Sequence, residues 1–227
     1  MEPQKGIYSV INAAEKITDH VIVSVSGGKD SAVTLDLCAS KFKRVDAFFM
    51  YLVRDLSFQE DWLHWAENKY GIDHIHRVPH FMLADFLAAG SFRFPDISVD
   101  RVHINQIYNY IRRLTGGHWI AAGETISDSI YRRAMIKQSG TIDYKRGRFY
   151  PVAGFSRQQI RDYIQFKKLR VSAESEILGF SFRSFMAKEL VLIRDAYPDD
   201  WIKIMECFPM INAEIKREEM FGDQRGV

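Results

Sequence analysis

The apolar run Val21-Ile22-Val23-Ser24-Val25 leads without a break into Ser26-Gly27-Gly28-Lys29-Asp30-Ser31, and this junction restricts the fold more than any other stretch. A β-prone segment, a double-glycine turn, then Ala32, Val33, Leu35, Leu37 and Cys38 in an amphipathic run read as strand, tight loop and helix. Such a loop aims backbone N–H groups and the positive end of a helix at one point, which suits an anion. Glycines let a phosphate approach the backbone without a Cβ in the way. Ser26 and Ser31 add hydroxyl donors and Lys29 adds a charge. The string is not a Walker loop, because Lys29 precedes Asp30 and no glycine stands five residues earlier, and it is not G-x-G-x-x-G either.

The rest of the chain repeats the alternation. A helix is expected over Ile7 to Ile17, a second strand over Val45 to Tyr51, a helix over Phe58 to Tyr70 stopped by Gly71, and a third strand over His74 to Val78. Phe81 to Phe94 reads as a short helix and loop interrupted by Gly90, Asp100 to Leu114 as an amphipathic helix, and Trp119 to Ala122 as a fourth strand. Thr141 to Phe149 reads as a hairpin with a basic tip at Lys145, Arg146 and Arg148, either a flap or a solvated turn. Helices follow over Phe185 to Ala196, from Pro198 to Cys207, and from Pro209 to Met220. Strand alternating with helix implies a parallel sheet with helices on both faces, and ligand at the carboxyl ends of the strands. The expected architecture is α/β, with a sheet domain over 1–168 and a helical extension over 169–227 in the same globular unit.

The strand-plus-S-G-G-K-D-S string resembles the PP-loop of the ATP pyrophosphatase superfamily, which implies a Rossmann-like, adenine nucleotide alpha hydrolase-like fold. The resemblance implies that Ser24 and Ser26 to Ser31 hold the β and γ phosphates of ATP while chemistry occurs at the α phosphate. It also implies that adenine lies near the end of the second strand, meeting the backbone of Tyr51, Leu52 and Val53. Asp30 would orient backbone donors or hold Mg²⁺; the alternative is that Asp30 and Ser31 only cap the helix.

A second block, Gly123 to Arg133, again places a glycine and a polar turn between a strand and a helix, with Asp128–Arg132 and Ser129–Arg133 at i, i+4 spacing. Beside the first strand it would face the phosphate loop, and arginine suits phosphate or sulfate. Gly123, Asp128, Ser129 and Arg132 are similar to a block of the phosphoadenosine phosphosulfate reductase-like branch of that superfamily. Where the branch has an arginine two positions after the glycine this chain has Thr125, with Arg133 as a partial substitute. A third block, Pro151 to Ile164, resembles the same branch with Phe155 in place of its tryptophan and Gln159 in place of an acid. Here Ser156 and Gln159 form a capping box and Phe155 sits at the staple position. In resembling proteins the region around Arg183 meets the far end of the nucleotide or the second substrate. Arg112, Arg113 and Lys137 read as ordinary surface charges.

True thioredoxin-dependent reductases of that branch need a nucleophilic cysteine near the C-terminus. Lys216 to Gly222 contains none, and the two cysteines, Cys38 and Cys207, both sit in apolar surroundings that read as core. No disulfide framework, iron–sulfur motif or zinc motif is legible, and His74, His76 and His80 read as solvated or core-edge residues. A net charge of +2 is too mild to imply nucleic acid by itself. The absence of a signal-peptide pattern and of a membrane-length apolar run predicts a cytoplasmic protein with no membrane partner. The expected activity is adenylyl transfer from ATP-Mg²⁺, with Lys29, Asp30 and Arg132 as the catalytic set, feeding sulfur transfer or nucleic-acid modification. A sulfur-donor protein, a nucleic acid and a homodimer stay open as partners. The alternatives are sulfonucleotide chemistry with an external thiol, and nucleotide binding without turnover.

Overall fold

The computed structural model describes residues 8–178, 182 and 185–221. Its six strands are β1 (His20–Val25), β2 (Arg44–Tyr51), β3 (His76–Pro79), β4 (Trp119–Ala122), β5 (Ile142–Asp143) and β6 (Arg148–Phe149). They form one sheet in the order β3-β2-β1-β4-β6-β5, parallel except for the antiparallel β5–β6 pair. The strand order reverses at β1, so the crevice between β1 and β4 is the switch point where α/β sheets bind ligands.

β1 shows why its sequence reads as continuously apolar: it is buried on both faces. Val21, Val23 and Val25 point into one core together with α2 (Lys29–Ala39), α3 (Ser57–Tyr70) and α7 (Arg157–Lys167). Ile22 points the other way, toward Ile107, Tyr108 and Ile111 of α5 (Ile104–Thr115). Strand periodicity thus places helices on both faces. Two phenols fasten the first layer: Tyr70 of α3 and Tyr163 of α7 donate to the Asp36 carboxylate of α2 at 3.0 and 2.8 Å.

Boundaries follow the expected ones where the signal is local. Gly71 takes the left-handed conformation (φ 62°) that ends α3. Ser156 and Gln159 close their capping box at 2.8 and 3.2 Å, and Phe155 packs with Ile160 in the core. Three boundaries move because a backbone N–H is taken by another acceptor. β3 starts at His76 because the Ile75 N–H donates to the Glu67 carboxylate at 2.7 Å instead of entering the sheet. α5 opens at Ile104 because Gln106 Oε1 accepts the His103 N–H at 2.7 Å. The last helix, α11 (Asn212–Phe221), starts three residues beyond Pro209, since the Met210 N–H donates to the Phe92 carbonyl at 2.8 Å. The basic hairpin is the sheet's own edge: β6 pairs with β4, and the Asp143 carboxylate accepts the Arg146 N–H and Nη1, both at 3.0 Å.

Arg112 is not an ordinary surface charge. It donates to the carbonyls of His118 (2.7 Å), Arg146 (2.6 Å) and Gly147 (3.2 Å), clamping α5 to that hairpin. His80 caps α4 (Phe81–Ala89), its ring nitrogen accepting the Met82 N–H at 3.2 Å, and His74 lies against Glu67 and Arg77. No helix among the described residues is long and apolar enough to cross a membrane.

The C-terminal helices α9 (Ala187–Ala196), α10 (Pro198–Cys207) and α11 form a second apolar cluster that takes in Leu52, Val53, Leu56 and Phe58 from the sheet side. Asp200, 1% exposed, accepts the Ser57 N–H and hydroxyl, both at 2.7 Å, and so caps α3 from outside. Burial would raise its pKa, but the Ser57 donors and Lys203 outweigh that and hold it below the usual carboxylate value.

Removing the Asp36 carboxylate strands two phenols in the core, so Asp36→Ala is expected to lower the unfolding free energy by about 3 kcal/mol. Urea denaturation read by tryptophan fluorescence measures the loss.

Candidate functional site

The loop after β1 takes its shape from two glycines. Gly27 has φ 73°, and Gly28 stands at the N-cap of α2 in an extended conformation with no side-chain cap. The N-cap position thus has no side chain to offer, and within the first turn the Asp30 carboxylate is drawn to its own N–H while Ser31 turns back to the loop. Ser31 holds the loop closed from within: its Oγ donates to the Gly28 carbonyl at 2.9 Å and accepts the Ser26 N–H at 3.1 Å, with Ser26 Oγ at 3.2 Å. Ser24 lies inside the sheet, opposite Phe48 of β2 and Ala122 of β4.

The second block lands where the alternation requires. β4 runs beside β1, and a Cβ on Gly123 would sit 3.0 Å from the Asp30 carbonyl carbon and the Ser31 nitrogen. The end of β4 thus touches the first turn of α2 backbone to backbone, a contact that only glycine permits. Beyond it, Thr125 takes a role that an arginine would not. It is buried, its N–H donates to Asp128 Oδ2 at 3.1 Å and its hydroxyl to Oδ1 at 2.8 Å. Arg132 Nη1 donates to the same carboxylate at 2.6 Å. Ser129 caps α6 (Ile130–Ser139) by accepting the Arg132 N–H at 3.2 Å, so its side chain does not pair with Arg133. Arg133 is exposed and donates Nε to the Ile126 carbonyl at 3.3 Å. It braces the turn.

The two loops share one electrostatic field. Burial and the Asp128 charge raise the Asp30 pKa against the pull of its own N–H, Arg132 and Lys29. Burial would raise Asp128 as well, but the Thr125 N–H and hydroxyl and the Arg132 guanidinium hold it below its ordinary value. Glu124 adds a further carboxyl that burial raises while Arg132 and Arg148 draw it down. Lys29, Asp30, Asp128 and Arg132, picked from separate blocks, are thus brought together. At the end of β2 the Tyr51 carbonyl accepts the His80 N–H at 2.8 Å, and the Leu52 side chain is buried in the C-terminal cluster, leaving the strand end beside the loop. Arg183 lies outside the described residues.

A third wall was not legible. In the connection between α7 and α8 (Ala173–Leu178), the Ser172 N–H and hydroxyl both donate to the Gly27 carbonyl, at 2.9 and 3.0 Å, and Ser172 Oγ lies 2.9 Å from Ser175 Oγ. A Cβ on Gly27 would meet Ser172 Oγ at 2.8 Å. The stretch from Leu169 to Phe182 carries no clear periodicity, and nothing local ties Ser172 to a loop 145 positions earlier. Among the described residues no group of three or more His, Cys, Asp or Glu is arranged to hold a metal ion.

Residues 20–173 match the phosphoadenosine phosphosulfate reductase domain family. Among solved structures, the NH3-dependent NAD synthetase from Campylobacter jejuni subsp. jejuni NCTC 11168, in complex with the nitrate ion, is similar with a TM-score of 0.53 at 16% identity, over 98% of this chain and 97% of that one. At that identity the likeness is one of fold. No curated protein matches the chain.

Gly27→Ala is expected to destabilise the chain by about 2 kcal/mol, from left-handed strain plus the Ser172 contact. Ser172→Gly alone should also destabilise, because it removes the hydroxyl bond to the Gly27 carbonyl, but the double variant, freed of the clash, should lose less than the sum of the two, read as thermal melts.

Proposed function

The chain belongs to the phosphoadenosine phosphosulfate reductase domain family of PP-loop proteins, and from that footing we propose that it binds ATP with Mg²⁺ and transfers the adenylyl group to an oxygen of a second substrate. The observation that carries this reading is the Gly123 contact, which sets Arg132 and Asp128 against a phosphate loop that already holds Lys29. The β and γ phosphates would sit on the loop N–H groups with Lys29, and the α phosphate would face Arg132.

The second substrate's oxygen, deprotonated by solvent, attacks the α phosphorus. The bond from that phosphorus to the bridging oxygen breaks, and pyrophosphate leaves with the electron pair. Positioning and charge stabilisation by N–H groups, Lys29 and Arg132 suffice for such a transfer, with no obligatory side-chain base. Asp30 fits as the Mg²⁺ ligand, since the Asp128 charge already presses on it and a hard divalent cation relieves that repulsion. The bound ion would neutralise charge on the phosphates.

The thiol chemistry of the family's reductases finds no support in the cysteines. Cys38 is fully buried, and burial pushes its thiol far up; Cys207 is half-buried and raised by burial as well. Activated adenylates commonly precede sulfur transfer, so an external sulfur donor would be the natural partner, with a small molecule or a nucleic acid as acceptor.

Incubation with Mg²⁺ and α-labelled ATP, with and without acceptors, is expected to release AMP or an adenylated product together with pyrophosphate. Ser31→Ala and Arg132→Ala should each lower the rate by about 100-fold. Tight binding of phosphoadenosine phosphosulfate with no binding of ATP overturns the proposal in favour of a sulfonucleotide ligand. ATP binding without turnover under every acceptor tried favours a binding protein.

A further inference from the structure

Glu174 stands against the inner side of the phosphate loop and has no role in the proposed transfer. It is 2% exposed, and both of its carboxylate oxygens lie buried without a well-formed hydrogen bond, the Ser172 hydroxyl and its own N–H lying close enough only to draw its pKa partly down. Oε1 is 3.8 Å from the position a Gly27 Cβ would take. The same short segment holds the loop, through the two Ser172 bonds to the Gly27 carbonyl. Among the described residues, the groups around it offer no compensating charge. Gly27 faces it from the loop, and Ser172 and Ser175 lie on its own segment. The phenol of Tyr197, between α9 and α10, is raised by burial and by Glu174, together with Asp61 of α3, Asp200 of α10 and Glu176. An unpartnered buried carboxylate is costly, and such a group favours its neutral form.

We propose that Glu174 is a positioning residue of the phosphate loop that takes up a proton when a polyphosphate binds. Ionised, it sets a negative charge beneath the N–H groups that must receive phosphate; protonated, it removes that charge. In the free protein burial already lifts its pKa to about 7, against the pull of Ser172 and its own N–H. An anion on the other side of Gly27 favours the protonated form further, so the bound pKa lies higher. Affinity therefore falls as pH rises above 7, by up to about tenfold per pH unit, and the fall ends at the bound pKa. The proton comes from solvent, and no bond to the nucleotide forms.

This inference rests on the ATP reading above, and its test separates the two. MgATP binding is measured by calorimetry between pH 6.5 and 8.5, in two buffers of different ionisation enthalpy, for the wild type and for Glu174→Gln, a mimic of the neutral acid. The wild type should take up close to one more proton at pH 8.5 than the variant, and the variant should bind about 30-fold more tightly than the wild type there, with little difference at pH 6.5. Equal proton counts, or a variant weaker at both pH values, overturn the role of Glu174 and leave ATP binding standing. No MgATP binding by the wild type at any pH overturns the ATP reading and this inference with it. Should the variant fail to fold, ¹³C-carboxyl spectra of the wild type decide. A glutamate titrating near pH 7, unaltered by Glu124→Gln, should move upward with MgATP; its absence overturns the proposal.

Discussion

The carbonyl of Gly27 receives two hydrogen bonds from Ser172, and on that pair of bonds the arrangement of the site depends. A loop that must present N–H groups to an anion turns its carbonyls inward, where each needs a donor. Ser172 supplies both donors from a segment that is also the start of the C-terminal part of the chain. The left-handed backbone at Gly27 is the geometric counterpart, because any side chain there would occupy the volume of Ser172 Oγ. The phosphate loop is thus held between β4 on one side, through Gly123, and Ser172 on the other.

Charge at the mouth is balanced across elements rather than within them. Asp128 is kept ionised by Thr125 and Arg132, and its charge in turn presses on Asp30. A binding site with two such acids beside a phosphate loop repels its own ligand unless cations enter with it. Lys29 and Arg132 supply part of the compensation. Thr125 is instructive: a small hydroxyl residue orders the acid that in turn holds Arg132.

Most of what could be read in the sequence came from features with a short physical range. The β1–loop–α2 junction, β4 over Trp119–Ala122, the glycine stop of α3 and the Ser156–Gln159 box depend on neighbours within a few residues, and each stands as expected. The facing of Gly123 to the phosphate loop followed from the right-handed alternation of strands and helices. What escaped reading was made by partners far apart in sequence. Ser172 on Gly27, Asp200 on Ser57, Phe92 on Met210 and Arg112 on the hairpin carbonyls leave no periodicity and no cap pattern of their own. Arg112 illustrates the limit: an arginine in the last turn of an amphipathic helix carries a surface-charge pattern, yet three backbone carbonyls absorb its donors.

The cap on α3 also bears on the order in which the chain can be completed during synthesis. Ser57 opens a helix of the nucleotide-binding layer, yet its acceptor, Asp200, lies 143 residues later. Leu52, Val53, Leu56 and Phe58 likewise wait for apolar partners on α9 to α11. A nascent chain emerges over many seconds, and loop closure across such a span is slow compared with local helix formation. For that interval the stretch after β2 presents bare apolar side chains and a helix start without its carboxylate. Until α10 has left the ribosome, this segment offers apolar surface that a chaperone could cover.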